Sequence, residues 1–282
     1  MLIRKILPVL AAAVLALSCV HEASAQGKLE AHYTARLAGV PIGKGTWVIN
    51  IGDTSYTAVA SGVTAGLLKF LTNGQGTTSS RGVLANGKPV VATYAASIKT
   101  KKKDDEVLMT VAEGKVKELK LNPPVEPDGA RIEVTEAHKT GVIDPMTGSL
   151  LRVGGEGTTV TAEACQRSLS VFDGRLRYDL KMTFKRMETV KAGRGYAGPA
   201  VVCGVTFTPL AGFNPERYAV KYVASQKDME VWMAPIAGTR VLVPFRFETP
   251  TPVGNAVLEA TEFVTAATTA SNVPAPKTVK TQ

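Results

Sequence analysis

Between residues 175 and 185 the chain alternates almost without exception. Leu176, Tyr178, Leu180, Met182 and Phe184 fall on one side; Arg175, Arg177, Asp179, Lys181, Thr183 and Lys185 fall on the other. A period of two marks a strand with one wet face, because successive side chains leave a pleated backbone in opposite directions. Val241, Val243, Phe245 and Phe247 repeat the pattern against Arg240, Arg246 and Glu248, and residues 46–51, 107–111, 115–121, 219–224 and 230–233 read as further strands. Turn-forming pairs punctuate these runs: Gly52-Asp53, Asn73-Gly74, Asn86-Gly87, Glu113-Gly114, Asp128-Gly129, Asp173-Gly174 and Gly254-Asn255. Many strands joined by short turns predict an antiparallel meander, closed or curled. Two short helices interrupt it, one over residues 65–71. The other starts at Asp144 as N-cap with Pro145 in the first helical position, and has Gly154 beyond its end.

The stretch VFDGRLRYDL, residues 171–180, tests this reading. With Asp173-Gly174 as a two-residue turn of type I′, Phe172 pairs with Arg175, Val171 with Leu176, Leu169 with Tyr178, Arg167 with Leu180 and Cys165 with Met182. Ser168 then lies beside Asp179, and Ser170 beside Arg177. That register gathers the apolar residues of both strands on one face, and a one-residue slip would invert it. Asp173 is a turn residue on this reading, and Asp179 a solvated partner of Arg177 or Lys181. Arg167 alone falls on the apolar face, where an unpaired charge is costly; it pairs inside, lines a wet cavity, or marks the strand end.

The ends of the chain predict export. Arg4 and Lys5 precede an apolar run over residues 6–17, and Ala23-Ser24-Ala25 supplies small residues for cleavage before Gln26. A cut before a lipidated Cys19 is the alternative, although Ala16 stands where a lipoprotein box usually has leucine. Residues 26–265 then form one large β domain. Pro123-Pro124-Val125-Glu126-Pro127 is the best place for a subdomain break, and residues 266–282 read as a disordered tail. Loss of Arg4, Lys5 and Glu22 takes the net charge from +9 to +8. That moderate excess favours anionic surfaces such as lipid head groups; with few aromatic residues and an exported chain, nucleic acid is not an expected partner. Cys165 and Cys203 remain as an even pair, read first as a disulfide in an oxidising compartment. Zinc would need two more ligands, and His32 and His138 have no ligand spacing to them.

The segments CQRSLSVFDGRLRYDL and CGVTFTPLAGF, with LAGVPIGKGTWVI near the start and PFRFETPTPVGNAVLEATEF near the end, resemble the exported bacterial family catalogued as domain of unknown function 3108. The resemblance spans residues 29–265. It implies an envelope location and a curved antiparallel sheet similar to the lipoprotein-carrier half-barrels. It implies no activity and no catalytic residue.

Catalytic chemistry finds little footing. There is no G-x-S-x-G elbow, and His138, near Asp144 along the chain, is the main histidine base on offer. The glycine-rich runs at 43–48 and 154–157 lack a strand–loop–helix setting. Asp104-Asp105-Glu106 follows Lys99, Lys101, Lys102 and Lys103, and the run reads as a charged, solvated hairpin tip; the alternative is that the four lysines form a docking patch for anionic head groups or a partner protein. The expectation is therefore an all-β, mainly antiparallel half-barrel or β-spiral without metal or cofactor. It is a non-enzymatic periplasmic protein holding a lipid, an acyl chain or a lipid-anchored peptide on a concave apolar face, with peripheral membrane contact. Trp47, Leu176, Tyr178, Leu180, Met182, Phe245, Phe247 and Arg167 are the candidate liners. A filled structural domain bound to a lipoprotein or another envelope protein is the alternative, and a hydrolase or isomerase a third.

Overall fold

A computed structural model of the chain describes residues 26–66, 69, 73–85 and 88–268. The expected signal segment with Cys19, the Asn86-Gly87 turn, most of the helix at 65–71 and residues 269–282 lie outside the described residues. Among the described residues fifteen strands form a single, mostly antiparallel sheet. The first seven follow one another as a meander: β1 (Gly27–Leu37), β2 (Val40–Ile51), β3 (Ser55–Thr64), β4 (Gln75–Ala85), β5 (Lys88–Lys99), β6 (Asp104–Ala112) and β7 (Lys115–Asn122). The remainder comprises β8 (Leu151–Arg152), β9 (Arg167–Phe172), β10 (Arg177–Lys191), β11 (Arg194–Gly195), β12 (Ala197–Ala211), β13 (Met229–Pro235), β14 (Val241–Thr249) and β15 (Ala256–Ala267). β1 joins the two halves by pairing with both β2 and β15, so β7 and β9 become the two ends of the sheet. Register shifts at His32/Tyr33, Ala35/Arg36 and Phe184/Arg186 help to bend it.

The two ends never hydrogen-bond as a ladder; the sheet is curled and unclosed. Residues 140–143 cross the seam instead. Thr140 bridges to Lys115 on β7 and Ile143 to Val171 on β9. Val142 N donates to Gly114 O at 2.9 Å, and Phe172 N to Ile143 O at 3.0 Å. The strap continues into helix α1 (Pro145–Gly148), whose Met146 is buried in the large core that both halves share. Asp144 caps it, as the sequence predicts, its Oδ1 accepting Thr147 N at 2.9 Å. The helix stops at Gly148 rather than running toward Gly154, because β8 starts at Leu151 to pair with β14.

Three further expectations change. Residues 219–224 are not a strand but the core of helix α2 (Tyr218–Ser225). Ala219, Tyr222 and Val223 share one helical face and cover an apolar cavity, while the Tyr218 and Tyr222 rings, one turn apart, meet at 5.9 Å. β15 runs to Ala267, so the tail does not begin at 266.

The β9–β10 connection is a four-residue loop, not a two-residue turn. Phe172 faces Arg177, Val171 faces Tyr178, Leu169 faces Leu180, and Ser170 rather than Ser168 lies opposite Asp179. The cause is local. The Asp173 carboxylate accepts Arg175 N at 2.8 Å and Leu176 N at 2.7 Å, which turns the chain over a longer path. The register moves by two residues, and an even shift keeps Leu169, Val171, Tyr178, Leu180 and Met182 on one face.

Candidate functional site

The inner face of the curl carries two adjoining cavities. The smaller, about 470 Å³, is walled by β9, β10, β12, β13 and β14 and roofed by α2. Leu169, Tyr178, Leu180, Met182, Val205, Phe207 and Val231 supply its walls, and Tyr222 and Val223 its roof. The larger, about 970 Å³, lies over β1–β5, with Tyr33, Trp47, Ala60, Tyr94 and Ile98 among its liners. Pro145 and Ser149 from α1 and its C-cap, and Val231, Pro244 and Phe247 from β13 and β14, touch both cavities and form a sill between them. Among the described residues no aspartate or glutamate lines either one, and Lys44 is the single charged residue in the two linings.

Alternation on β10, β12 and β13 puts these side chains there. Val201, Cys203 and Val205 of β12 pack with Val231 and Met233 of β13 on one side, while Ala200, Val202, Trp232 and Ala234 pack on the other. The Cys165–Cys203 disulfide, with Cα atoms 5.4 Å apart, ties the 3₁₀ turn Ala162–Cys165 to the same layer. The Tyr178 hydroxyl is held strongly toward its neutral form, by burial first and then by Asp173, Tyr94 and Asp144. Tyr94 is likewise pushed up, to about 12, chiefly by burial. These phenols contribute apolar ring surface rather than acid–base chemistry near neutral pH. Trp47 Nε1 is buried without a hydrogen-bond partner.

The expected liners separate. Tyr178, Leu180, Met182 and Phe247 line the smaller cavity, and Trp47 and Phe247 the larger. Leu176 sits in the 173–176 loop, outside both linings. Phe245 is a core residue at 2 % exposure, its ring 5.4 Å from that of Phe263. Arg167 begins β9 and donates to Arg152 O at 2.7 Å, away from the cavities. Phe184, on the predicted apolar face, is 41 % exposed beside the β10 bulge.

Arg177, placed on the wet face by alternation, is buried, its Nη1 donating to Tyr178 O and Asp179 Oδ1, each at 2.7 Å. Lys99 is exposed opposite Asp104, and Lys101 and Lys102 are exposed in the β5–β6 turn. Thr100, which shapes that turn by accepting Lys103 N at 2.9 Å, lines the larger cavity.

The acidic run proves not to be merely a solvated tip. Asp105 is bound by Lys103 and by Arg175, whose Nε reaches Asp105 Oδ1 at 2.9 Å and whose Nη2 donates to Pro123 O at 2.7 Å. Gly174 presses so closely on β6 and β7 that an added methyl would lie 2.5 Å from Val107 Cγ1. The D-G-R stretch of residues 173–175 thus fastens one end of the sheet to the other. Sequence alternation could not reveal it, because the ladder pairs neighbours and this contact joins strands about 70 residues apart. The walls Val205 and Phe207, in contrast, alternate along GVTFTPLA and could have been read from that period.

A second polar system was also missed. On the outer face, Trp232 Nε1 donates to Glu188 at 2.7 Å, and the Arg186 and Arg246 guanidinium carbons lie 5.4 and 4.9 Å from its ring centroid. Arg186 is bidentate to Glu230 at 3.0 and 2.8 Å. These charges bind one another. His138 Nδ1 accepts Thr135 N at 3.1 Å, capping its own 3₁₀ turn, while Asp144 is fully buried among Ser80 and Thr147. The Thr135 hydroxyl also lies 3.2 Å from His138 Nδ1, within the same exposed turn and outside both cavity linings. Among the described residues no group of three or more metal-ligating side chains converges.

A solved structure titled as a β-barrel-like protein of domain of unknown function DUF1849, from Brucella abortus, is similar at 12 % identity, covering 86 % of this chain and 98 % of that one with a TM-score of 0.50. At that identity the likeness concerns the fold alone. No curated protein sequence matches. The family model described as protein of unknown function (DUF3108) matches residues 30–261, and the chain belongs to that family.

Proposed function

We propose that the protein is a non-enzymatic constituent of the bacterial envelope, and that its paired cavities hold the acyl chain of a lipid. One observation carries the reading: two adjoining cavities whose walls, among the described residues, contain no carboxylate and a single lysine. Hydrocarbon gains about 0.8 kcal/mol per buried methylene, whereas a polar substrate would leave its donors and acceptors largely unpaired against the walls of the smaller cavity. Volumes of about 470 and 970 Å³ fall in or near the range of small-molecule sites. Export, with cleavage after Ala25, would place the protein where envelope lipids are present and where the Cys165–Cys203 bridge persists.

Delipidated full-length protein should bind a fluorescent fatty acid and release it to unlabelled oleate. Protein taken from its own envelope should carry lipid in native mass spectrometry. A ligand-free spectrum together with no displaceable probe would overturn the acyl-chain reading. The mass of the N-terminus in cells tests location separately. A chain starting at Gln26 in the periplasmic fraction supports export; a lipidated Cys19 would make the protein membrane-anchored, and an intact N-terminus in the cytoplasm would overturn it.

A further inference from the structure

We infer that the rim of the larger cavity is a docking surface for an anionic lipid bilayer, where a chain passes between membrane and cavity; only the passage of the chain rests on the acyl-chain reading. The cavity has a direction. Its liners Tyr33, Trp47 and Tyr94 are buried, whereas Lys44, Val63 and Ile98, near the start of β2 and the ends of β3 and β5, are exposed. The mouth therefore lies where β1 turns into β2, β3 into β4 and β5 into β6, beside the β14–β15 turn.

The connections at this end are knitted into one rim. Ala38 N donates to Asn255 O and Ala65 N to Ile42 O, each at 2.9 Å, and Thr64 N donates to Gly74 O at 2.8 Å. A methyl added to Gly254 would lie 2.8 Å from Ala38 Cβ. On this rim Val40, Val63, Ile98 and Val253 are each more than half exposed, Val253 at 67 %. Single exposed apolar residues are ordinary on a protein surface, but four of them gathered around the mouth of an apolar cavity form a patch suited to the boundary between water and hydrocarbon.

Charge names the surface. Among the described residues, segments 36–44, 63–66, 73–76, 98–103 and 250–255 contain Arg36, Lys44, Lys99, Lys101, Lys102 and Lys103 and no carboxylate. Lys103 is tied to Asp105, and Asp104 stands opposite Lys99. Lys44 lies opposite Val63 on the face away from Trp47 and Ala60, so a cation and an apolar side chain point outward together at the rim. An anionic bilayer meets both at once, phosphates against the lysines and hydrocarbon against the valines.

The test is flotation of the purified protein with vesicles of dioleoyl phosphatidylcholine, with and without dioleoyl phosphatidylglycerol. Wild-type protein should float with the anionic vesicles and bind the neutral ones about tenfold more weakly or less. Val40→Asp/Val253→Asp should weaken binding to the anionic vesicles by about tenfold, and Lys44→Gln, Lys99→Gln and Lys102→Gln by about fivefold each at low salt. All of these variants should hold the fluorescent fatty acid as tightly as wild type, which separates the rim from the cavity. Val83→Asp, exposed near the opposite end of β4, should change neither property. Wild-type protein left in solution with both vesicle types overturns the docking surface, sparing the acyl-chain reading and leaving the rim to a protein partner. Equal binding to the two vesicle types overturns the role of the lysines. Vesicle binding unmoved by the rim substitutions, or moved as much by Val83→Asp, assigns the contact to another face and overturns the proposal. Rim-dependent vesicle binding without fatty acid binding keeps the docking surface and removes the acyl-chain reading.

Discussion

The two halves of the sheet solve the burial problem differently. In β3 of the first half, burial alternates: Tyr56 and Ala58 are buried while Ser55, Thr57 and Val59 are exposed. In the second half, Ala200 to Val205 of β12 are buried one after another, as are Val231 to Ala234 of β13. The first half is thus a one-faced sheet that needs something on its inner side, and α1 with its strap supplies it. The second is buried on both faces and stapled by a disulfide. The second half thus has a core of its own around the disulfide, while Ala200, Val202, Trp232 and Ala234 also join the large core that holds Leu29, Tyr56 and Met146 of the first half and its strap.

The staple is the largest single lever on that contrast. Loss of Cys165–Cys203, which closes a sequence separation of 38, should cost about 4 kcal/mol on the chain-entropy account. Urea unfolding of the Cys165→Ser/Cys203→Ser variant would show it. Amides of β12 and β10 should lose the most exchange protection. An undiminished midpoint would mean that packing alone secures the second half.

The next lever is the strap. Asp144→Ala removes a helix cap and leaves Ser80 and Thr147, buried neighbours of the carboxylate, without their acceptor. Tyr56, bonded to Thr147 at 2.5 Å, belongs to the same network. A cost of about 3 kcal/mol is expected, with protection lost in β3 and β4 and kept in β13. Equal loss in both halves would show that they unfold as one unit and would break the comparison.

How much of this was legible beforehand follows from the range of the forces involved. Strand existence on β10 and β14, the Asp144 cap and the inner position of Tyr178, Leu180 and Met182 are consequences of side-chain period and of neighbours a few residues apart, and the sequence displays both. The β9–β10 register was misjudged by two residues because the Asp173 carboxylate, rather than a standard tight turn, sets the loop. Helix α2 was misread because Ala219, Val220, Tyr222, Val223 and Ala224, interrupted by Lys221 alone, fit either period; the cavity it roofs decides. Arg175 on Asp105 and the Trp232 ladder are tertiary encounters, and no local pattern encodes them. The groove itself was legible only as an apolar face. Its division into two cavities arises where α1 meets β13 and β14.

The seam offers a third, smaller lever. Arg175→Ala deletes the bonds to Asp105 and Pro123 O. Arg175 and Asp105 are largely shielded, so about 2 kcal/mol is expected. Exchange in β6 and β7 should rise while the disulfide-bearing layer stays protected. Gly174→Ala probes the same seam without touching charge, because Gly174 has φ of +98° and meets Val107. If Arg175→Ala leaves β7 as protected as before, residues 140–143 alone hold the ends together.

The smallest effect separates the halves by sign. Burial raises the Asp144 carboxyl above the usual carboxylate range. A group whose pKa is raised on folding makes the native state hold more protons than the unfolded one, so its contribution is fullest below about pH 4 and is lost as pH climbs through the raised value. On the outer face of the second half, Glu230 is lowered, first by its hydrogen bonds from Arg186. Its contribution is present above the ordinary glutamate range and is lost as pH falls through the lowered value, reduced in size because Arg186 is partly exposed to solvent. Relative to wild type, Asp144→Asn should therefore be most destabilised in acid and recover toward neutrality, while Glu230→Gln should be most destabilised near neutrality and recover in acid. Urea midpoints of the three proteins between pH 3 and 7 give both slopes. Parallel slopes would mean that the Asp144 pocket is wetter than its buried hydroxyl network implies, and the first half would then lose its distinction from the second.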